Sequence, residues 1–288
     1  MKKKLILILA VVLIAVCAFV GVTACADDTI VVYTNAYFAP FEYFADADTI
    51  AGVDIDIMNM VGEKLGRDVK FENVDFDVII PNVHSGSLCD VGAAGITITE
   101  ERKAQVDFST PYYTSVQYVV YTDNSGITTS TVDGQEVIFW SQLAGKQVGV
   151  QRDTTGHIYV GGEISGDGFD GVLKDTGAKC NPFDDVTVAI TAMTSGSETA
   201  DVVVIDQLPA LYYVNANSAV KCAPLYYDGT ADSDPVATEE EYAICVTPGQ
   251  TELLEAINAV LNDLINDVDE NGDNGIDRLV AKHFGLDA

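Results

Sequence analysis

Apolar positions along the chain switch between two periods. Ile30-Val31-Val32-Tyr33 is a short β-rich run, as expected of a strand. From Gly52 the period changes: Val53, Ile57, Val61 and Leu65 recur every four residues until Gly66, which predicts an amphipathic helix. Val69–Val74 then alternates like a strand, Asp75-Phe76-Asp77 opens a helix from Val78 to His84, and Asp90–Ala94 is a buried strand bounded by turn residues. Further on, Ser115–Tyr121 and Asp201–Asp206 read as strands. Pro248–Val268 reads as a long helix with Leu254, Ile257, Leu261, Leu264 and Ile265 on one face, and Ile276–Phe284 as a closing helix. The stretches Thr122–Gly134 and Gly161–Gly171 are rich in small and polar residues and read as loops. Val83–Asp90 (helix end, Ser-Gly turn, strand) is echoed by Met193–Asp201, one residue longer. Such a repeat suggests two similar α/β lobes.

Chemistry concentrates where these strands end. After Ala94 come Gly95-Ile96-Thr97-Ile98-Thr99-Glu100-Glu101-Arg102. Gly95 leaves the backbone open to close approach. Free N–H groups, a threonine hydroxyl and a guanidinium fork suit a carboxylate, and open α/β sheets bind ligands at that end of their strands. The alternative places Arg102 on a solvated helix start. Asp206 closes its own strand, where an acid can face an ammonium or simply begin a helix. Thr154 and Thr155 stand at a strand-to-helix junction, able to grip an anion, while Thr154 can equally cap the helix. Asn35–Tyr43 is an aromatic-dense loop interrupted by Pro40. Asp54 and Asp56 fit the cap and dipole of a helix start better than an acid–base pair, and His84 reads as a surface residue.

These pieces, and nearly all of the chain after residue 28, resemble the amino-acid-binding members of the bacterial solute-binding proteins, family 3, the capture subunits of ABC importers. The resemblance implies a two-lobed α/β periplasmic-binding-protein fold of type II, each lobe a sheet flanked by helices, joined by a two-strand hinge near Thr114–Val116 and Thr238–Tyr242. Residues 25–114 and 238–288 would form lobe one and residues 115–237 lobe two, with Leu143–Gln151 as the entry to lobe two and Glu241–Val246 as the return strand. It also implies a polar L-amino acid as ligand. Arg102 would hold the α-carboxylate with the Thr97 N–H and a Thr155 group, and Asp206 and the Gly95 carbonyl would take the α-ammonium. Phe38 and Phe76 would flank the side chain, with Asn35, Ala94, Gln151 and Thr154 completing the site. Cation-binding relatives carry an acid where Asn35 stands, so the amide favours a neutral side chain such as that of glutamine. Val53 replaces the family's Phe, and Asp153 its usual Gly, so a different turn is expected there. The implied partners are the permease and ATPase subunits of an importer; a monomer without cofactor or metal is expected.

With 288 residues the chain can hold two domains, and 48 % apolar residues provide a sizeable core. A net charge of −29 argues against nucleic acid and anionic membrane surfaces as partners. At the N-terminus, Lys2-Lys3-Lys4 precedes an uncharged run from Leu5 to Val22 and then Val22-Thr23-Ala24-Cys25. This describes a signal peptide over residues 1–24. The cysteine after a small residue resembles a lipobox, with Cys25 as the lipid attachment site tethering an exported protein to the outer face of the membrane. An uncleaved membrane anchor is the alternative. Beyond Cys17 and Cys25, the cysteines Cys89, Cys180, Cys222 and Cys245 allow three complete pairings and show no metal-ligand spacing.

Asp267-Val268-Asp269-Glu270-Asn271-Gly272-Asp273 matches half of a calcium-binding EF-hand loop, but Arg278 at position twelve cannot supply the bidentate carboxylate. Some proteins of this fold dehydrate cyclic carboxylic acids, as cyclohexadienyl dehydratase does. That chemistry needs a general acid in the slot, and His84, His157 and His283 fall outside it or near its edge. The third class, a ligand-sensing extracellular domain, needs a membrane span and an intracellular part.

Overall fold

A computed structural model describes residues 29–166, 170–230 and 233–285. The leader, Cys17 and the lipid site at Cys25 lie outside the described residues. The chain forms two α/β lobes. The first is built on a sheet ordered Val69–Asn73, Ile30–Thr34, Val91–Gly92, Cys245–Val246, Asp107–Phe108. Its first three strands are parallel, and Cys245–Val246 runs antiparallel to both neighbours. The second sheet runs Lys179–Phe183, Gln147–Gln151, Val202–Asp206, Tyr113–Tyr121, Lys221–Tyr227, Gln135–Phe139, Ser130–Val132. Every residue of Val202–Asp206 is buried, because helices cover both faces of that sheet.

One strand belongs to both lobes. Tyr113–Val116 pairs with Glu239–Tyr242, and the remainder, Gln117–Tyr121, pairs with Val202–Asp206 and Lys221–Pro224. The two-stranded crossing therefore falls where the resemblance implies a hinge. Tyr242 is fully buried at this crossing and packs edge-on against Phe41, with Tyr113 beside it. Lobe one is closed by helices Val53–Leu65, Thr251–Asn266 and Gly275–Phe284, whose apolar faces meet over Val61, Ile257, Leu261 and Ile276.

Several expectations change in detail. Thr122–Gly134 contains the strand Ser130–Val132, turned back on Gln135–Phe139 by Asp133 and Gly134. Both turn residues have positive φ (49° and 86°), the conformation of a tight hairpin turn. The helix Thr155–Ser165 runs through Gly161 and ends at Gly166, so the loop begins later than composition suggests. Burial of Val160 and Glu163 against the lobe outweighs the poor helix propensity of those glycines. Leu143 lies in a short 3₁₀ turn, and its strand is only Gln147–Gln151. Asp267–Asp273 is a helix connector: the Asp269 carboxylate accepts N–H bonds from Asn271 and Asp273, and Arg278 holds the Asp273 carbonyl. Cys89, Cys180, Cys222 and Cys245 are free thiols.

Candidate functional site

Strand ends from both lobes converge on one narrow cavity. Lobe one contributes Asn35, Phe38, Glu42, Phe76, Ala94, Gly95 and Thr97; lobe two contributes Gln151, Thr154, Thr155 and Asp206. Ten of the eleven residues singled out in the sequence therefore share this wall, and Glu42 joins them. Arg102 stands just behind it. Phe76 lines both the cavity and an outer recess bordered by Thr99, Arg102 and Asp153. The Arg102 guanidinium lies 5.4 Å from the centre of that ring, within cation–π range.

Arg102 is 6 % exposed, not on a solvated helix start. Its helix is a single turn, Glu100–Lys103, capped by the Thr99 hydroxyl. Nη1 donates to the Thr97 carbonyl at 2.8 Å, and Nη2 crosses the cleft to the Asp153 carbonyl, also at 2.8 Å. Asp153 presents that carbonyl from a left-handed turn, φ 58°. An aspartate where the family has glycine thus still adopts the glycine-like conformation, one that Asp tolerates better than most residues.

Two further bonds close the cleft. Gln151 Nε2 donates to Asn35 Oδ1 at 2.9 Å, and Thr155 Oγ1 donates to Thr97 Oγ1 at 2.7 Å. Thr154 caps its helix, accepting from the His157 N–H, so of the paired threonines it is Thr155 that reaches across. Asn35 also gives its amide N–H to the Val74 carbonyl, which commits both ends of the side chain to the protein.

Asp206 stands at a helix start yet does not cap it. Its Oδ1 instead accepts from Tyr242 Oη at 2.7 Å and Gln117 Nε2 at 3.0 Å. Gln117 also donates to Glu240 at 2.6 Å, and Glu240 receives the Thr97 hydroxyl at 2.6 Å. This hydrogen-bonded chain ties the hinge strand to the cavity-lining loops of both lobes. Asp54, expected as a helix-start acid, is fully buried: it accepts the Gly95 N–H at 2.9 Å and Tyr112 Oη at 2.5 Å. That fixes the Gly95 loop. The backbone there has φ 53°, and a methyl group on its Cα would stand 2.6 Å from the Phe38 ring, so the position has room for glycine alone.

Glu42 and Glu240 are the site residues missed in the sequence. The alternation Thr238, Glu240, Tyr242 on the inward face of the hinge strand was the available signal for Glu240. The hairpin register that sets Glu42 opposite Phe38 was the signal for Glu42.

Four carboxyls, Glu42, Asp54, Asp206 and Glu240, are thus buried beside one guanidinium. Burial pushes Asp54 up to about 6, its two hydrogen bonds pulling the other way. Burial followed by the nearby Asp54 and Asp206 charges raises Glu42 well above the usual carboxylate range, and burial followed by Asp206 does the same to Glu240. The folded protein therefore binds protons that the unfolded chain releases. This contribution to stability is complete below the ordinary carboxylate value and is lost as pH rises through about 6 for Asp54. We expect the ligand-free protein to melt at a higher temperature at pH 5 than at pH 7.5. A thermal scan across this range checks it, and a melting point that falls below pH 6 contradicts it.

The family model of the bacterial extracellular solute-binding proteins, family 3, matches residues 30–285. A probable histidine-binding protein of Neisseria gonorrhoeae is 29 % identical over 253 residues, covering 88 % of this chain and 82 % of the relative. Among solved structures, an ancestral arginine-binding protein bound to arginine is 36 % identical with a TM-score of 0.70, covering 90 % of this chain and 99 % of its own. An ancestral arginine-binding protein bound to glutamine is 35 % identical with a TM-score of 0.67, covering 90 % and 98 %.

Proposed function

The chain belongs to family 3 of the bacterial extracellular solute-binding proteins, and from that premise we propose that it captures an L-α-amino acid between its lobes and delivers it to the permease and ATPase subunits of an ABC importer. It is a binding protein and not an enzyme, as its relatives are. The observation that carries the reading is a buried guanidinium on lobe one joined through Thr97, Glu240 and Gln117 to a cavity-lining carboxylate on lobe two. That separation of charge matches a zwitterion.

Arg102, with two of its five N–H donors committed to carbonyls, offers the remainder to the α-carboxylate, beside Thr97 and Thr155. Asp206 and the Gly95 carbonyl take the α-ammonium, and Phe38 and Phe76 cover the side chain's apolar part. Closure about the crossing of Tyr113–Val116 with Glu239–Tyr242 brings the lobes together and presents the shape that the importer reads. In this reading the domain boundaries are 25–114 with 238–288 for lobe one and 115–237 for lobe two, and the chain works as a monomer. The leader with Cys25 after Ala24 supports a lipid tether on the outer face of the cell membrane.

Thermal denaturation against the twenty amino acids tests this. A ligand at a hundred times its Kd stabilises the fold by about 2.7 kcal/mol, so at least one amino acid raises the melting point by several degrees. No shift with any of them overturns the assignment.

A further inference from the structure

The carbonyl that Arg102 reaches across the cleft belongs to Asp153, in its left-handed turn. His157 pins that turn. Its Nδ1 accepts the Asp153 N–H at 3.1 Å. His157 lies in the first turn of the helix Thr155–Ser165, and its own N–H meets the Thr154 hydroxyl at 3.3 Å. Side chain and backbone answer each other as in a capping box, the side chain reaching one residue further back. A backbone N–H only donates, so Nδ1 is an unprotonated acceptor and the ring proton sits on Nε2. The geometry is that of a neutral imidazole.

Asp153 also carries the alternative partner. Its carboxylate lies 3.5 Å from the same Nδ1. On protonation Nδ1 turns from acceptor to donor, gives up the Asp153 N–H and meets the carboxylate instead. The turn then loses the bond that holds it in a conformation uncommon outside glycine. Histidine is the side chain whose charge changes between about pH 5 and 8. The helix N-terminus disfavours a cation there, and the Asp153 carboxylate favours one. Beside this turn stands Arg152, within reach of Asp77 and Asp184. Across the outer recess are Arg102, Glu101 and Asp77, and Asp206 ends the neighbouring strand of the sheet. We propose that His157 is a positioning residue for the closed cleft: neutral, it sets the Asp153 carbonyl against Arg102; protonated, it frees the turn and lets the lobes part. Its effect on affinity rests on the amino-acid reading above, and it acts wholly through Asp153 and Arg102. Capture is then tight at neutral pH and loosens in acid.

The test compares the unmodified protein with His157→Gln and His157→Phe at pH 7.5 and pH 5. Glutamine keeps an acceptor for the Asp153 N–H and does not titrate, whereas phenylalanine keeps a ring without an acceptor. Small-angle X-ray scattering of the ligand-free proteins reads closure. The unmodified protein is expected to show a larger radius of gyration at pH 5 than at pH 7.5, His157→Gln to stay compact at both, and His157→Phe to be expanded at both. The rise in melting point produced by a mixture of the twenty amino acids reads capture under the same conditions. Apparent affinity in the unmodified protein should fall about tenfold on acidification, the worth of one hydrogen bond, and His157→Gln should lack that part of the fall. Asp54, pushed up to about 6, titrates in the same range in all three proteins, so the difference between the unmodified protein and His157→Gln belongs to His157. An identical pH response in those two overturns the proposal, and so does a His157→Phe variant as compact as the unmodified protein at pH 7.5. A mixture that shifts no melting point overturns amino-acid capture, and the scattering series still decides the role of His157.

Discussion

Arg102→Ala is expected to weaken amino-acid binding by about 100-fold or more, and to lower the melting point of the ligand-free protein only modestly. Binding falls because the α-carboxylate loses a desolvated, two-pronged donor, and removing one partner of such a pair costs roughly 2–5 kcal/mol. The modest loss of stability has a separate origin. The guanidinium also satisfies the Thr97 and Asp153 carbonyls, one in each lobe. Truncation leaves the Thr97 carbonyl without that partner, at a cost of about 1–3 kcal/mol, and removes one of the bonds that draw the lobes together. For a protein of this size that is a shift of about 2–12 °C. Arg102→Lys keeps the charge but loses the planar fork, so it restores only part of the affinity. Titration calorimetry and a melting curve on the same samples check both halves. Native affinity in Arg102→Ala would remove Arg102 from the site.

What could be read in the sequence, and what could not, divides by range. Gly95, Thr97, Arg102, Thr155 and Asp206 were legible because each lies at or just beyond a strand end, and an α/β sheet delivers its strand ends to one side. Asp206 was open to two readings, cap or ligand group, and only the distances to Tyr242 and Gln117 decide for a side chain turned into the cleft. The Gln151 side chain that meets the Asn35 amide arrives from 116 residues away, beyond the reach of any local signal. Glu240 and Asp54 become buried acids through pairings across the hinge and from helix to loop, at separations that local periodicity does not sense. The hairpin at Asp133-Gly134 was hidden by loop-like composition, although that dipeptide is itself a turn signal.

Asp206→Asn provides the complementary loss on the opposite lobe. The amide is nearly isosteric, and its oxygen can still accept from Tyr242 and Gln117, so the packing around Asp206 is preserved. What disappears is the negative charge facing the α-ammonium. Binding is expected to weaken by about 100-fold, within the range for a buried charged partner. The ligand-free protein should be at least as stable as before, because Asp206 contributes to the raised protonation of both Glu42 and Glu240. With that charge gone, the two glutamates release their protons at lower pH, and the rise in melting point on acidification becomes shallower. The variant therefore separates two roles. An acid that only begins the helix Gln207–Ala216 would change stability and leave affinity intact. An acid that holds the ammonium does the reverse, and calorimetry with a paired pH series of melting curves distinguishes the two.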